Sequence, residues 1–201
     1  MIRIGVTGGI GSGKSTVCHM LEQLGAAVYD SDANAKRLMN EDPDLRRRLT
    51  EAFGAETFAD GTLNRKYLAA AVFGNDERLQ LLDSIVHPAV RCDFRRWCEG
   101  RTEDYVLLES AILFESGFDS ETDRTLAVVA PEELRIERVQ KRNGVTREEV
   151  LRRIAAQISD DELRERADYT IVNITLDYLR SDVERLDQIF RYEARSGAIR
   201  H

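Results

Sequence analysis

Hydrophobic positions along the chain switch repeatedly between short continuous runs and helical spacing. Ile2 to Thr7 is a β-branched apolar run closed by glycines, and from Lys14 the positions Val17, Leu21 and Leu24 recur at helical spacing until Gly25 offers a C-terminal stop. That order reads strand, tight loop, helix. Ala26 to Tyr29 predicts a second brief strand ending at Asp30, after which Ser31 or Asp32 caps a helix carrying Ala35, Leu38 and Met39. Two acids, Asp30 and Asp32, then lie at a strand's carboxyl end.

From Pro43 to about Glu99 the pattern is mostly helical, with Leu45, Leu49 and Phe53, then Leu68 and Val72, then Leu79, Leu82 and Ile85, broken by Gly54, Gly61 and Gly74. Three further apolar runs, Tyr105 to Leu108, Leu126 to Ala130 and Tyr169 to Val172, predict strands, each separated from the next by helical segments. Charged helices are expected over Glu132 to Arg142 and Thr146 to Ile158, a closing helix over Leu176 to Tyr192, and a loose tail from Arg195 to His201. Five short strands alternating with helices imply an α/β fold with a mainly parallel, doubly wound sheet. The expected organisation is one domain over 1–201, with a core at 1–40 and 103–201 and a helical insertion at about 41–102.

Composition narrows the ligands. With 201 residues, 42% hydrophobic and 32% charged, the chain can build a sizeable core. Its net charge of −7 repels polyanions such as nucleic acid or an acidic membrane surface, so an anionic ligand must be gripped locally. Cys18, Cys92 and Cys98 are odd in number and lack metal-ligand spacing, which suits buried thiols in a reducing compartment. No apolar stretch approaches a membrane span, and the apolar start runs into glycines rather than a signal-cleavage region. A cytoplasmic protein is expected, with no nucleic-acid or membrane partner and no obligate protein partner.

Gly8-Gly9-Ile10-Gly11-Ser12-Gly13-Lys14-Ser15 matches G-x-x-x-x-G-K-[ST] and sits between a predicted strand and a predicted helix, the context the motif requires. Glycines let the backbone turn with N–H groups facing inward, where the nest and the helix N-terminus favour a polyphosphate. Gly9, Gly11, Ser12 and Gly13 supply that cradle, Lys14 reaches the β and γ phosphates, Ser15 offers a hydroxyl to Mg²⁺, and Thr16 a hydrogen bond from the first helical turn. Only four of the 29 basic residues are lysines, so a lysine here does not reflect a lysine-rich chain.

A nucleotide loop alone does not separate a kinase from a switch or a motor. The guanine-reading N/T-K-x-D and D-x-x-G segments of GTPases are missing, and the chain is short for a motor. A small-molecule kinase leads. Another P-loop kinase acting on a nucleoside, nucleotide or small metabolite, and a nucleotide-dependent binding switch, remain as alternatives.

The ordered motifs resemble the dephospho-CoA kinase family from the start of the chain to about Asn173. Thr7 to Thr16 is close to that family's phosphate loop, and Asp30-Ser31-Asp32 followed by Ala35 and Lys36 looks like its D-x-D segment. Gly61 to Arg65, Val72-Phe73 and Ile85-Val86-His87-Pro88 are similar to its inserted helical region, whose end a His-Pro pair marks. Leu113-Phe114-Glu115 resembles the end of a later motif, and Glu137-Arg138, Lys141 to Gly144, Arg153 to Gln157, Ala167-Asp168-Tyr169 and Asn173 resemble its lid and final strand, which implies a lid at about 132–160. The likeness departs at Glu109 to Ile112, which lacks a proline, and at Ile174-Thr175, where a glycine turn is frequent. It implies a three-layer P-loop NTPase fold and transfer of the ATP γ phosphate to the ribose 3′-hydroxyl of dephospho-CoA, the last step of CoA biosynthesis, with ATP and dephospho-CoA as partners.

Asp32 is expected to orient or deprotonate the sugar hydroxyl, with Asp30 as the alternative acid and a helix cap as the plain structural role. Arg138 and Arg142, four apart, share a helix face and could close over the ATP phosphates, although the lid's cations are matched by acids. Glu109, at a strand end, could hold Mg²⁺ through water. His87 and Arg65 are candidate acceptor contacts and Asn173 a nucleotide contact. Phe73, Phe114 and Trp97 are expected to pack in the core.

Overall fold

The computed structural model describes residues 1–197, so most of the tail expected from Arg195 lies outside the described residues. The chain begins with β1 (Ile2–Thr7), α1 (Lys14–Gln23), β2 (Ala27–Asp30), α2 (Ser31–Glu41) and α3 (Pro43–Phe53). There follow a small hairpin of β3 (Phe58–Ala59) and β4 (Thr62–Leu63), then α4 (Arg65–Val72) and α5 (Asp76–Glu99). The remainder is β5 (Tyr105–Glu109), β6 (Arg124–Val129), α6 (Glu132–Asn143), α7 (Arg147–Ala155), α8 (Asp160–Arg166), β7 (Tyr169–Val172) and α9 (Leu176–Ser196). Two compact units result, one of residues 1–30 with 100–201 and one of Ser31–Glu99. The boundary therefore falls ahead of α2, which packs on α3 and α5, where the sequence reading began the insertion near 41.

In the first unit a five-stranded sheet runs β2-β5-β1-β6-β7 with every pair parallel. Strand alternation decides what each face buries. Ile2, Ile4 and Val6 pack with Val17 and Leu21 of α1 and with Leu179, Val183, Leu186 and Phe190 of α9. Gly5 points the other way, and a Cβ there would stand 2.7 Å from Leu113 Cδ2, so the missing side chain seats the segment after β5. Ala127 with Phe114 and Leu163 of α8 forms a smaller cluster. Asp168, just ahead of the edge strand β7, ties it to β6, accepting from the Thr125 N–H and hydroxyl at 2.7 and 2.8 Å.

Several expectations need correction. The β5–β6 link holds turns and one short 3-10 stretch, Phe118–Glu121, rather than an α-helix. α9 runs past Tyr192 to Ser196, because Arg191 and Arg195 both reach Asp104, Arg195 at 2.7 Å, while the Tyr105 hydroxyl donates to Asp187 at 2.7 Å. Cys92 is exposed, unlike buried Cys18 and Cys98, and none of the three is in a disulfide. Phe73 is 90% exposed and so is not a core residue. Among the described residues no helix is long and apolar enough to cross a membrane.

The second unit buries Leu38, Leu45, Leu49, Phe53, Leu68, Ile85, Val90 and Phe94 along its helices. Asp42 caps α3, accepting from the Asp44 and Leu45 N–H groups, with Pro43 in the first turn where its missing donor costs nothing. The hairpin turns through Asp60 and Gly61, both at positive φ. The His87-Pro88 pair lies inside the 24-residue α5, not at the end of a region.

Candidate active site

The phosphate-type loop is the span between β1, the central strand, and α1. Its last residue, Gly13, sits at the α1 N-cap with φ 92°, a left-handed conformation that an L side chain rarely adopts. A Cβ there would also lie 2.0 Å from Asn173 Nδ2. α1 thus begins with its free N–H groups aimed out of the sheet's carboxyl edge, an electropositive end suited to phosphate. Within the loop the Ser12 N–H donates to Gly9 O at 3.1 Å. The hydroxyls of Thr7 and Ser12 are buried without a hydrogen-bond partner among the described residues.

Three side chains meet beneath the loop. Lys14 Nζ donates to Glu109 Oε1 at 2.8 Å, and Ser15 Oγ donates to the same oxygen at 2.6 Å. Glu109 ends β5, paired in register with Val6 on one side and with Asp30 at the end of β2 on the other. Burial pushes its carboxyl up, but the Lys14 ammonium and the hydrogen bonds from Lys14, Ser15 and Cys18 prevail and hold it below the ordinary value. Burial, then the Glu109 charge, raises the Cys18 thiol, so that sulfur stays protonated. The set offers one anionic carboxylate and one hydroxyl, hard oxygen donors that suit Mg²⁺, beside one cation that suits phosphate. Among the described residues no group of three or more His, Cys, Asp or Glu could hold a metal ion.

Asn173 follows β7 and is buried. Its N–H donates to Val129 O and its Nδ2 to Ser12 O, both at 2.8 Å, so it braces the loop from the adjoining strand end. Arg138 of α6 reaches over the same place, with Nη atoms 3.2 Å from Asn173 Oδ1 and 3.4 Å from Gly11 O. Arg142, one turn further, is exposed and donates Nε to Asn143 Oδ1 at 2.9 Å, so the structure brings Arg138 to the loop and not Arg142.

Of the acceptor candidates, Asp32, Arg65 and His87 belong to the helical unit and Asp30 to the sheet unit. Asp32 is exposed in the first turn of α2, and Asp30 is exposed at the end of β2. Arg65 opens α4 and, with Lys36, borders an apolar cavity of about 240 Å³ lined by Met39, Leu63, Leu68 and Val72. His87 is half-buried, its Nε2 3.5 Å from Asp83 Oδ1. Burial lowers its pKa, Asp83 opposes that and Arg91 adds to it.

Sequence reasoning missed Arg135 and Asp160 and named Gln157 only within a motif. Arg135 Nε donates to Ile10 O at 3.0 Å, its Nη to Asp160 Oδ1 at 2.8 Å, and Gln157 Oε1 accepts from the Ile10 N–H at 2.8 Å. The available signal was Arg135's place four residues before Val139, on the helix face that the apolar pattern buries.

The family model described as dephospho-CoA kinase matches residues 2–177. A dephospho-CoA kinase of Salinibacter ruber is 49% identical over 177 residues, covering 86% of this chain and 89% of that one. A Thermus thermophilus protein of known crystal structure superposes with a TM-score of 0.82 at 39% identity, covering 94% of this chain and 96% of that one. The dephospho-CoA kinase of Campylobacter jejuni, 23% identical, shares the fold at a TM-score of 0.68 over 94% of this chain and 97% of its own.

Proposed function

The chain belongs to the dephospho-CoA kinase family, and from that premise we propose how its residues divide the work of moving the ATP γ phosphate to the ribose 3′-hydroxyl of dephospho-CoA. The enzyme is an ATP-dependent phosphotransferase with an alcohol acceptor, and its products are CoA and ADP. The observation that carries the assignment of roles is the convergence of Lys14 and Ser15 on Glu109 at the N-terminus of α1.

Phosphoryl transfer asks little covalent chemistry of the protein; it needs position, charge neutralisation and exclusion of water. In this reading Gly9, Gly11 and Gly13 present backbone N–H groups to the phosphates, Ser12 holds the turn between them with its N–H closed on Gly9 O, and Thr16 lies in the first helical turn. Lys14 pairs with the β and γ oxygens. Ser15 and Glu109 are the residues that would hold Mg²⁺, which would supply positive charge to offset that of the phosphates. Arg138 adds a cation beside Gly11, Arg142 joins it when the lid at about 132–160 closes, and Asn173 keeps the loop in register with β7.

Asp32 orients the acceptor hydroxyl and takes its proton, with Asp30 the alternative acid at the strand end. Arg65 and His87 contact the acceptor from an inserted region within one kinase domain. The setting is the cytoplasm, where free thiols persist, and the partners are ATP and dephospho-CoA.

The test is ADP release with Mg²⁺-ATP, comparing dephospho-CoA with no acceptor and with AMP, cytidine and shikimate, followed by product mass. Phosphate gained only on dephospho-CoA is expected. Transfer to another member of the panel would remove the named acceptor, and ADP release indifferent to every acceptor would favour a nucleotide switch.

A further inference from the structure

We propose that Arg135 is a positioning residue for the phosphate-binding loop, acting from α6 through the Ile10–Gly11 peptide, with Gln157 and Asp160 as its partners. The inference rests on the reading of the loop as the ATP site. Ile10 is held in three ways at once. Its side chain packs against the small cluster of Ile136, Val139 and Val150, its N–H is taken by Gln157 and its carbonyl by Arg135.

A trans peptide sets C=O and the following N–H in opposite directions. Drawing the Ile10 carbonyl out towards Arg135 therefore turns the Gly11 N–H away from that guanidinium, to the side where the ATP-site reading places the phosphates. With the Ser12 N–H closed on Gly9 O, the orientation of the Ile10–Gly11 peptide decides how many donors the cradle offers.

Two glycines of the loop are explained by the same contact. A Cβ on Gly9 would lie 2.2 Å from Arg135 Nη2, and one on Gly11 would lie 2.6 Å from Arg135 O. The loop is thus shaped to admit both the side chain and the backbone of Arg135. Arg135 is only 4% exposed, and a cation so deeply placed needs a counter-charge. Asp160 supplies it from the first residue of α8, itself only partly buried. Loop, α6 and α8 form one clamp, and the phosphate donors are set by residues that never touch the nucleotide.

The experiment compares Arg135→Met, which keeps the aliphatic bulk and removes the donors, with Asp160→Asn and the double variant. Steady-state kinetics give KM for each substrate, and hydrogen exchange reports the peptide spanning the loop. For Arg135→Met, KM for ATP is expected to rise about tenfold or more while KM for dephospho-CoA stays within about twofold, with faster exchange in the loop. Asp160→Asn moves the same parameter less, and the double variant is no worse than Arg135→Met because both act on one clamp.

A folded Arg135→Met enzyme with wild-type KM for ATP, or equal rises in both KM values, overturns the proposal. If Arg135→Met does not fold, Asp160→Asn decides, and an unchanged KM for ATP overturns it. Lys14→Met separates the two levels: if it leaves ATP affinity intact the ATP-loop reading falls, whereas if it abolishes affinity and Arg135→Met does not weaken it, only this inference falls.

Discussion

Lys14 Nζ and Ser15 Oγ share a single acceptor, Glu109 Oε1, at 2.8 and 2.6 Å. One carboxylate at the end of β5 therefore orders both side chains that the loop presents to phosphate and metal. Removing its charge while keeping its shape should separate these duties. Glu109→Gln is expected to lower kcat on the order of 10²-fold and to move the Mg²⁺ dependence to higher concentration, with little change in KM for ATP. A magnesium titration of initial rates checks this, and wild-type kinetics in the variant would remove Glu109 from the metal site.

The same pair makes stability depend on acid. The folded Glu109 carboxyl lies below its ordinary value of 4.5, so its contribution is fully present above that value. As pH falls further the unfolded chain takes up the proton first, and the contribution is lost until the folded carboxyl is protonated too. In Lys14→Met the opposing effect of burial is no longer offset by the ammonium, so the folded carboxyl moves up towards or past its unfolded value and the loss of stability on acidification should shrink or reverse. Unfolding midpoints of the two proteins over about pH 3 to 7 measure the difference.

Asp32→Asn keeps the size of the side chain and abolishes its basicity. Turnover should fall by about 10³-fold while ATP binding is retained, since the group serves the acceptor. Calorimetric titration with ATP beside a rate assay gives both numbers. Wild-type turnover in Asp32→Asn together with loss in Asp30→Asn would transfer the role to Asp30.

Arg138 and Arg142 should behave differently despite sharing a helix face. Arg138 already touches the loop, so Arg138→Ala should raise KM for ATP about tenfold. Arg142 bonds to its neighbour Asn143, so Arg142→Ala should lower kcat with a smaller change in KM. If Arg142→Ala altered neither parameter, the lid role of that residue would be lost.

Gly13→Ala meets two obstacles, a left-handed backbone and the Asn173 amide 2.0 Å from the new atom. The variant should lose about 1 kcal/mol or more of stability, together with ATP affinity. Asn173→Ala in the same background should restore part of the stability but not the affinity, because the backbone strain remains. Thermal unfolding with and without ATP tests both halves.

What was legible in the sequence was what is local. β1, the glycine loop and α1 are contiguous, and their periodicities and motif agree. α8 escaped because only Leu163 of its seven residues is buried, too little for an apolar stripe. The extent of α9 was hidden because Arg195 finds Asp104 from 91 positions away. Phe73 was misplaced because hydrophobicity alone does not tell a core ring from an exposed one. Within the site, Arg135 could not be weighed without knowing that α6 lies against Ile10, since an arginine among many charged neighbours reads as solvated.

Asn173 adds a consequence for the order in which the protein is made. The loop precedes nearly all of the sheet, yet the Ser12 carbonyl finds its side-chain donor 161 positions later, after the last strand of the sheet has been laid down. During synthesis the loop emerges well before its brace arrives. Nascent chains that stop short of β7 carry the complete motif without its finished shape, so nucleotide can favour folding only once β7 has emerged.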